Sequence, residues 1–157
     1  MRRNGIEDFG PYQDAGQLFD HVVTDMQMLR GDSRCHRLVG QQVASADSIC
    51  ANMEEGFGRL SRKEFIRFLD IARGSARETL GRYRRMKHWL PSEIVSARVD
   101  LADRIIGKLT KSIITLRATV TQQERAVHEE AGTYGDPQPA EFREVSQDEV
   151  EALVRAQ

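Results

Sequence analysis

The fold of this chain is decided by residues 48–78, which read SICANMEEGFGRLSRKEFIRFLDIARGSARE. The first part has apolar residues at helical spacing and ends at Gly56-Phe57-Gly58, where glycine can end a helix. Ser61-Arg62-Lys63-Glu64 then has the pattern of a capping box, in which the serine and glutamate side chains satisfy the first free N–H groups of a new helix. The segment therefore predicts two helices joined by a short basic turn.

The same helical periodicity continues on both sides of this segment. Apolar residues recur at spacings of three and four in four stretches, which predict helices over about residues 14–29, 34–55, 61–90 and 92–123. Four helices with short connections favour an antiparallel, up-down-up-down bundle. Gly74-Ser75 has low helix propensity in the middle of the third helix, and we attribute its presence to close helix packing. The predicted fold class is therefore all-α, an antiparallel up-down-up-down four-helix bundle.

Charge divides the chain into two parts. Residues 1–123 carry 20 lysines and arginines against 15 acidic residues, whereas residues 124–157 carry three against nine. We therefore expect the bundle to occupy residues 1–124 and a flexible acidic C-terminal tail, with a linker and a short tail helix, to occupy residues 125–157. We further hypothesise, from charge alone, that this tail competes with phosphate groups for a basic surface of the bundle.

The central segment also matches the pattern of a known family. The matching residues are Ser48-Ile49, Asn52-Met53, Glu55-Gly56-Phe57-Gly58-Arg59, residues 63–75 and Glu78. In this order and spacing they resemble one bacterial family, the four-helix bundle proteins related to those encoded in intervening sequences of 23S ribosomal RNA genes. The specific resemblance covers residues 41–78, and compatible helix lengths extend it to about residues 10–122.

The resemblance implies an assembly and a role, which we state as expectations. It implies a ring-like homopentamer, a nucleic-acid-binding role toward RNA or DNA, and no enzymatic activity. Related bundles act as accessory factors to reverse transcriptases in diversity-generating elements. The chain departs from the family pattern at Val43 and Ala44, where arginine is typical, and at Glu54, which adds a negative charge. Both departures weaken the case for phosphate binding by the second helix.

The third helix concentrates basic residues. Between residues 59 and 88 there are ten lysines and arginines against three acidic residues. Such an excess suits a phosphate backbone, although charged runs are also commonly solvated faces with local ion pairs, and both readings stay open. The candidate nucleic-acid contacts are Arg59, Arg62, Lys63, Arg67, Arg73, Arg77, Arg84 and Arg85.

Polar residues at the junction of the second and third helices form a second constellation. Asn52, Glu55 and Gly56 lie close to the basic turn. We expect Asn52 and Glu55 to bond to the turn's backbone and arginines and so to fix the corner, the alternative being a polar ligand site. Trp89 at the end of the third helix is interpreted as a plug of the bundle core, the alternative being a stacking platform for bases.

No pattern typical of an active site is present in the sequence. Four histidines, at His21, His36, His88 and His128, are scattered without metal-ligand spacing, and there is no phosphate loop or nucleophile elbow. We therefore expect no catalytic residue, no metal and no cofactor. The predicted function is that of a non-enzymatic, oligomeric, cytoplasmic protein without a membrane partner that binds RNA or DNA. The alternative is a scaffold bundle whose basic face meets an acidic protein.

Overall fold

Four α-helices account for most of the chain. The computed structural model describes residues 5–131, and the side chains of residues 5–127. The helices are α1 (Gly10–Gln27), α2 (His36–Phe57), α3 (Arg62–Arg85) and α4 (Ser92–Ala131), with short 3-10 turns at Ile6–Asp8, Ser33–Cys35 and Met86–His88. Within the described residues there is no β-strand. The prediction of an all-α four-helix protein is confirmed.

Side-chain hydrogen bonds give the relative direction of neighbouring helices. Between α2 and α3, Ser45 bonds to Thr79 and Ser48 to Ser75, so residue numbers rise along one helix as they fall along the other. The same reversed order relates α3 to α4 and α1 to α4, in the pairs Arg62–Gln123, Arg73–Thr110, Asp14–Arg104 and Asp25–Arg98. These helix pairs are therefore antiparallel.

A single apolar core lies between the helices. All four helices contribute fully buried side chains, and Phe9 adds another just before α1. The largest of these apolar side chains are Phe9, Leu18, Ile49, Met53, Leu69, Tyr83, Met86, Ile105, Leu109, Ile113 and Leu116. Because α3 buries one face along its whole length, its opposite face is presented to the surroundings. That opposite face carries most of the candidate contacts.

The structure corrects three helix boundaries. Helix α3 ends at Arg85, about five residues before its predicted end, and the 3-10 turn Met86–His88 follows it. Helix α1 begins at Gly10, about one turn earlier than the periodicity predicts, with Pro11 in its first turn where a missing N–H costs nothing. Helix α4 continues to Ala131 although the apolar pattern ends near residue 123. Extending an existing helix is much easier than starting one, so a polar stretch can continue it. The rest of the predicted tail, residues 132–157, lies outside the described residues.

The predicted capping box at the start of α3 is wrong. Ser61 occupies the N-cap position with extended backbone angles (φ −94°, ψ 124°), but its side chain makes no capping hydrogen bond. Its carbonyl oxygen accepts the first intrahelical bond, from the N–H of Phe65 at 3.0 Å. Ser61 is exposed, so water can satisfy the remaining N–H groups of the first turn.

The corner between α2 and α3 depends on Gly56. This residue is buried, and a Cβ atom added to it would lie 2.7 Å from the Cβ of Phe68 and 3.1 Å from Cδ2 of Phe65. Carbon atoms attract each other best at about 3.5–4.0 Å, so both distances are repulsive. The absence of a side chain at Gly56 is therefore what lets α3 approach the end of α2.

We expect Gly56→Ala to lower the free energy of unfolding by about 1–3 kcal/mol, because the added methyl overpacks the corner. Chemical denaturation followed by circular dichroism measures the effect. Gly58→Ala is the matched control, since its added Cβ would meet its nearest neighbours at 3.6 and 3.7 Å, which are ordinary contacts. Equal stability of the two variants would contradict the packing argument.

Candidate nucleic-acid interface

The corner between α2 and α3 holds Arg59 in place. Its guanidinium forms an ion pair with Glu55 one turn earlier and lies over the ring of Phe68, 5.5 Å from the ring centre. Charge and cation–π attraction both favour this position. Arg59 is exposed, but its charge is already matched by a carboxylate within the same corner.

Asn52 does not contribute to the turn, which corrects our expectation for it. Its side-chain N–H groups donate to the carbonyl oxygen of Ser48 at 2.7 Å and to the Ser48 hydroxyl at 3.0 Å. That hydroxyl lies 2.9 Å from the hydroxyl of Ser75 in α3. Asn52 therefore belongs to a polar connection along the α2–α3 seam, one turn before the corner.

A second polar group lies deeper in the same seam. The Thr79 hydroxyl lies 2.9 Å from that of Ser45, Ser45 donates to the carbonyl oxygen of Gln42 at 3.1 Å, and the Gln42 amide donates to the carbonyl oxygen of Thr79 at 3.2 Å. All three residues are buried. This buried polar group was not predicted from the sequence. The position of Ser45 on the same face as Ala46 and Ile49 was a signal that its hydroxyl needs a buried partner.

Sequence reasoning also missed a buried ion pair that joins three helices. Asp25 of α1 is 2% exposed, and its carboxylate accepts hydrogen bonds from the Tyr83 hydroxyl at 2.8 Å and from Nε of Arg98 at 2.9 Å. Burial and the hydrogen bond to Asp25 raise the pKa of the Tyr83 hydroxyl. Asp25 follows Val22 by three positions, so an acidic residue on the apolar stripe of α1 was the available signal.

The first turn of α3 places two candidate contacts against α4. Arg62 is buried, and its guanidinium donates to Oε1 of Gln123 at 3.1 Å. Lys63 is exposed but lies 2.8 Å from the carboxylate of Glu124. Both side chains thus connect the start of α3 to α4, and Arg62 has too little exposed surface to meet a large ligand.

Arg73 is also occupied within the bundle. Its guanidinium pairs with Asp70 on the same helix and donates to the hydroxyl of Thr110 in α4 at 3.3 Å. Only 20% of the side chain is exposed. About two and a half turns further along α3, Arg82 is similarly engaged with Glu78 at 3.3 Å. Asp70 and Glu78 are thus paired with Arg73 and Arg82, whose side chains are mostly buried.

Four of the predicted contacts remain exposed and make no ion pair with any residue that the structure describes. We call them the arginine strip: Arg67, Arg77, Arg84 and Arg85. They extend over 18 residues of α3, or about 27 Å at 1.5 Å per residue. Because the acidic residues between them are already paired, the strip has an uncompensated positive charge.

Two glycines lie on the same exposed side of α3 as the strip. Gly74 follows Arg67 by seven positions and precedes Arg77 by three, and Gly81 precedes Arg84 by three, spacings that share one helix face. An added Cβ at Gly74 would meet no atom within 4 Å, so our attribution of this glycine to packing within the bundle is wrong. The packing residue of that pair is Ser75, which contacts α2.

Aromatic rings are not presented on this surface. Trp89 follows α3 and is half-buried, packing against the core with its ring edge-on to His88 at 5.9 Å. Within residues 5–127 every other aromatic side chain is buried or half-buried. The part of the interface that the structure describes therefore offers positive charge and exposed backbone, without a fully exposed phenylalanine, tyrosine or tryptophan ring.

The described chain offers neither a site for a metal ion nor a membrane-spanning helix. No group of three or more histidine, cysteine, aspartate or glutamate residues in it could hold a metal ion. None of its helices is both long and apolar enough to cross a membrane. Burial raises the pKa of the Cys50 thiol to about 11, so this thiol is protonated at neutral pH and a weak nucleophile.

Taken together, these features define a four-helix bundle with one helix that presents arginines outward. The profile of the family described as 23S rRNA-intervening sequence protein matches residues 7–111. The chain belongs to this family, as its central motif indicated.

One solved structure supports the fold. It is the crystal structure of a protein of unknown function from the S23 ribosomal protein family of Bacteroides thetaiotaomicron VPI-5482. The two chains share 22% identity with a TM-score of 0.62, over 66% of this chain and 97% of that one. At this identity the likeness concerns the fold alone. A search of curated proteins found no significant match.

Proposed function

We propose that this protein is a non-enzymatic, homo-oligomeric bundle that binds RNA or DNA in the cytoplasm through the basic outer face of α3. The observation that carries the proposal is the arginine strip, four exposed guanidinium groups without ion pairs among the described residues. The assembly, with a pentamer favoured, follows from the resemblance described above. In a ring of identical subunits the strip would repeat, and the positive field would extend over a larger surface.

Four of the eight candidate contacts, the arginines of the strip, support the proposal best. Arg59, Arg62, Lys63 and Arg73 already have partners inside the bundle or at its corner. Recruiting them to phosphate would first break those interactions. Exposed arginines without a partner carry no such cost, and they form charge-assisted, bidentate hydrogen bonds with phosphate oxygens.

The expected result is salt-dependent binding of nucleic acid. Neutralising four phosphates releases condensed counterions, so the logarithm of the association constant for duplex DNA should fall with log salt at a slope of about −3.6 per engaged subunit. Fluorescence anisotropy with a labelled duplex at several salt concentrations measures this slope. The purified protein should be freed of host nucleic acid by nuclease treatment first.

Two outcomes would contradict the proposal, one for the nucleic-acid function and one for the assembly. Absence of salt-dependent binding to any RNA or DNA would favour the scaffold function, in which the strip meets an acidic protein instead. Light scattering on the same samples tests the assembly, and a mass of 17.8 kDa, that of one chain, would contradict the homo-oligomer.

A further inference from the structure

Gly74 and Gly81, the two glycines beside the arginine strip, have no role in the packing of the described bundle. Gly74 has no neighbouring atom within 4 Å of an added Cβ, and at Gly81 only the end of the Arg85 side chain comes near, at 3.5 Å. Both therefore have room for a β-carbon, at Gly74 in open space and at Gly81 in ordinary contact with the flexible end of Arg85. Glycine inside a helix is unfavourable relative to alanine, so two such residues on one face lower helix stability without a compensating packing contact among the described residues.

What distinguishes these two glycines is the charge around them. Gly74 lies between Arg67 and Arg77, and Gly81 lies between Arg77 and the pair Arg84 and Arg85, each within one or two helical turns. The backbone at the two glycines is bare, and long cationic side chains lie before and after it along the helix. These arginine side chains can reach phosphate oxygens that lie over the glycines.

The side chains of α3 also restrict the kind of nucleic acid. Single strands are bound largely by stacking of bases on aromatic rings, and no phenylalanine, tyrosine or tryptophan side chain is fully exposed among residues 5–127. Asparagine and glutamine, which read adenine in the major groove, do not occur in α3, and its arginines can bind guanine edges as well as phosphate oxygens. The exposed chemistry suits a phosphate backbone whose bases are paired and turned away.

We propose that α3 binds the sugar–phosphate backbone of a double-stranded nucleic acid, which lies over Gly74 and Gly81 between the arginines of the strip, independently of base sequence. This inference rests on the proposed function and adds to it the duplex form of the ligand and the close approach at the two glycines. The glycines act by leaving space, and the arginines supply the attraction.

The test fills that space while keeping every charge. In the variant Gly74→Leu/Gly81→Leu, the leucines should hold the backbone away from the arginines and weaken binding of a duplex of about 20 base pairs roughly tenfold or more, which corresponds to the loss of one or two phosphate contacts. The midpoint of chemical denaturation should not fall, because leucine is a better helix former than glycine.

Matched control substitutions exist on other helices. Gly40 in α2 and Gly107 in α4 are exposed and likewise have no atom within 4 Å of an added Cβ. Gly40→Leu/Gly107→Leu should keep the affinity of the unmodified protein. A second comparison uses a single strand with the sequence of one duplex strand, which should bind more weakly than the duplex at the same salt concentration.

The outcomes separate this inference from the proposed function. If Arg77→Gln/Arg84→Gln weakens duplex binding but the leucine variant does not, or if the single strand binds more tightly than the duplex, the inference is wrong and the nucleic-acid function stands. If no variant and no salt concentration affects binding, the proposed function fails as well. If the leucines instead change the mass measured by light scattering, the glycines serve self-association and the inference is overturned.

Discussion

Replacing all four arginines of the strip by glutamine is expected to weaken duplex binding about 1,000-fold at 0.15 M salt. Each phosphate contact releases about 0.9 of a counterion, and at this salt concentration that release is worth about 5.5-fold in affinity. Four independent contacts on one engaged subunit multiply to about the stated loss. The slope of log affinity against log salt should become shallower by about 3.6 per engaged subunit at the same time. Anisotropy titrations of the quadruple variant Arg67→Gln/Arg77→Gln/Arg84→Gln/Arg85→Gln give both numbers.

A matched variant separates position from total charge. The control replaces four other exposed basic residues that have no ion pair in the described part of the chain, which are Arg30, Arg37, Lys111 and Arg117. It changes the net charge by the same amount but leaves the strip intact, so its affinity should fall much less. Both variants should unfold at nearly the same denaturant concentration as the original protein, because surface substitutions of this kind change stability little. Equal losses in affinity would mean that overall charge, not the strip, attracts the nucleic acid.

Asp25→Ala is expected to lower the free energy of unfolding by about 3–5 kcal/mol. The carboxylate of Asp25 accepts hydrogen bonds from both Tyr83 and Arg98. Its removal leaves the Tyr83 hydroxyl and the mostly buried Arg98 guanidinium without this acceptor. Uncompensated buried polar groups are costly, and this loss is a large part of the stability of a small domain. Urea denaturation followed by circular dichroism measures the change.

Two further variants keep this prediction testable if Asp25→Ala does not fold. Tyr83→Phe removes one hydrogen bond and should cost about 1–1.5 kcal/mol. Asp14→Ala removes an acid that pairs with Arg104 and Lys108, both considerably exposed, and should cost less than about 1 kcal/mol. If Asp25→Ala and Asp14→Ala had similar effects, the buried ion pair would not be a major source of stability.

The sequence predicted the helices well because their signals are local. Apolar spacing, the glycines at the α2–α3 corner and the family motif all depend on residues close together in the chain. The capping box failed for the opposite reason, since whether Ser61 caps the helix depends on its side-chain rotamer and not on the pattern. Helix existence was thus predictable, while the details of the helix end were not.

The sequence identified the basic residues of the candidate interface but not which of them are exposed. Arg62 and Arg67 look alike in the sequence, yet one is buried against α4 and the other is exposed on the outer face. Their difference depends on where the partner helix lies and on acceptors such as Gln123, which are distant in sequence. The same holds for Asp25, whose partners are 58 and 73 positions away. No local pattern identifies such distant partners, although a charged residue on an apolar stripe indicates that a buried partner exists.

The seven-residue spacing of Arg67, Gly74 and Gly81 has a consequence for orientation. Seven residues fall about 20° short of two full turns of an α-helix, so a line through these positions winds around α3 in the left-handed sense. Over 14 residues, or about 21 Å, it turns by about 40° on a cylinder of about 5 Å radius. A straight rod that touches all three positions must therefore cross the helix axis at an angle of about 10°. The chirality of the α-helix would in this way set the direction in which a bound duplex leaves the subunit.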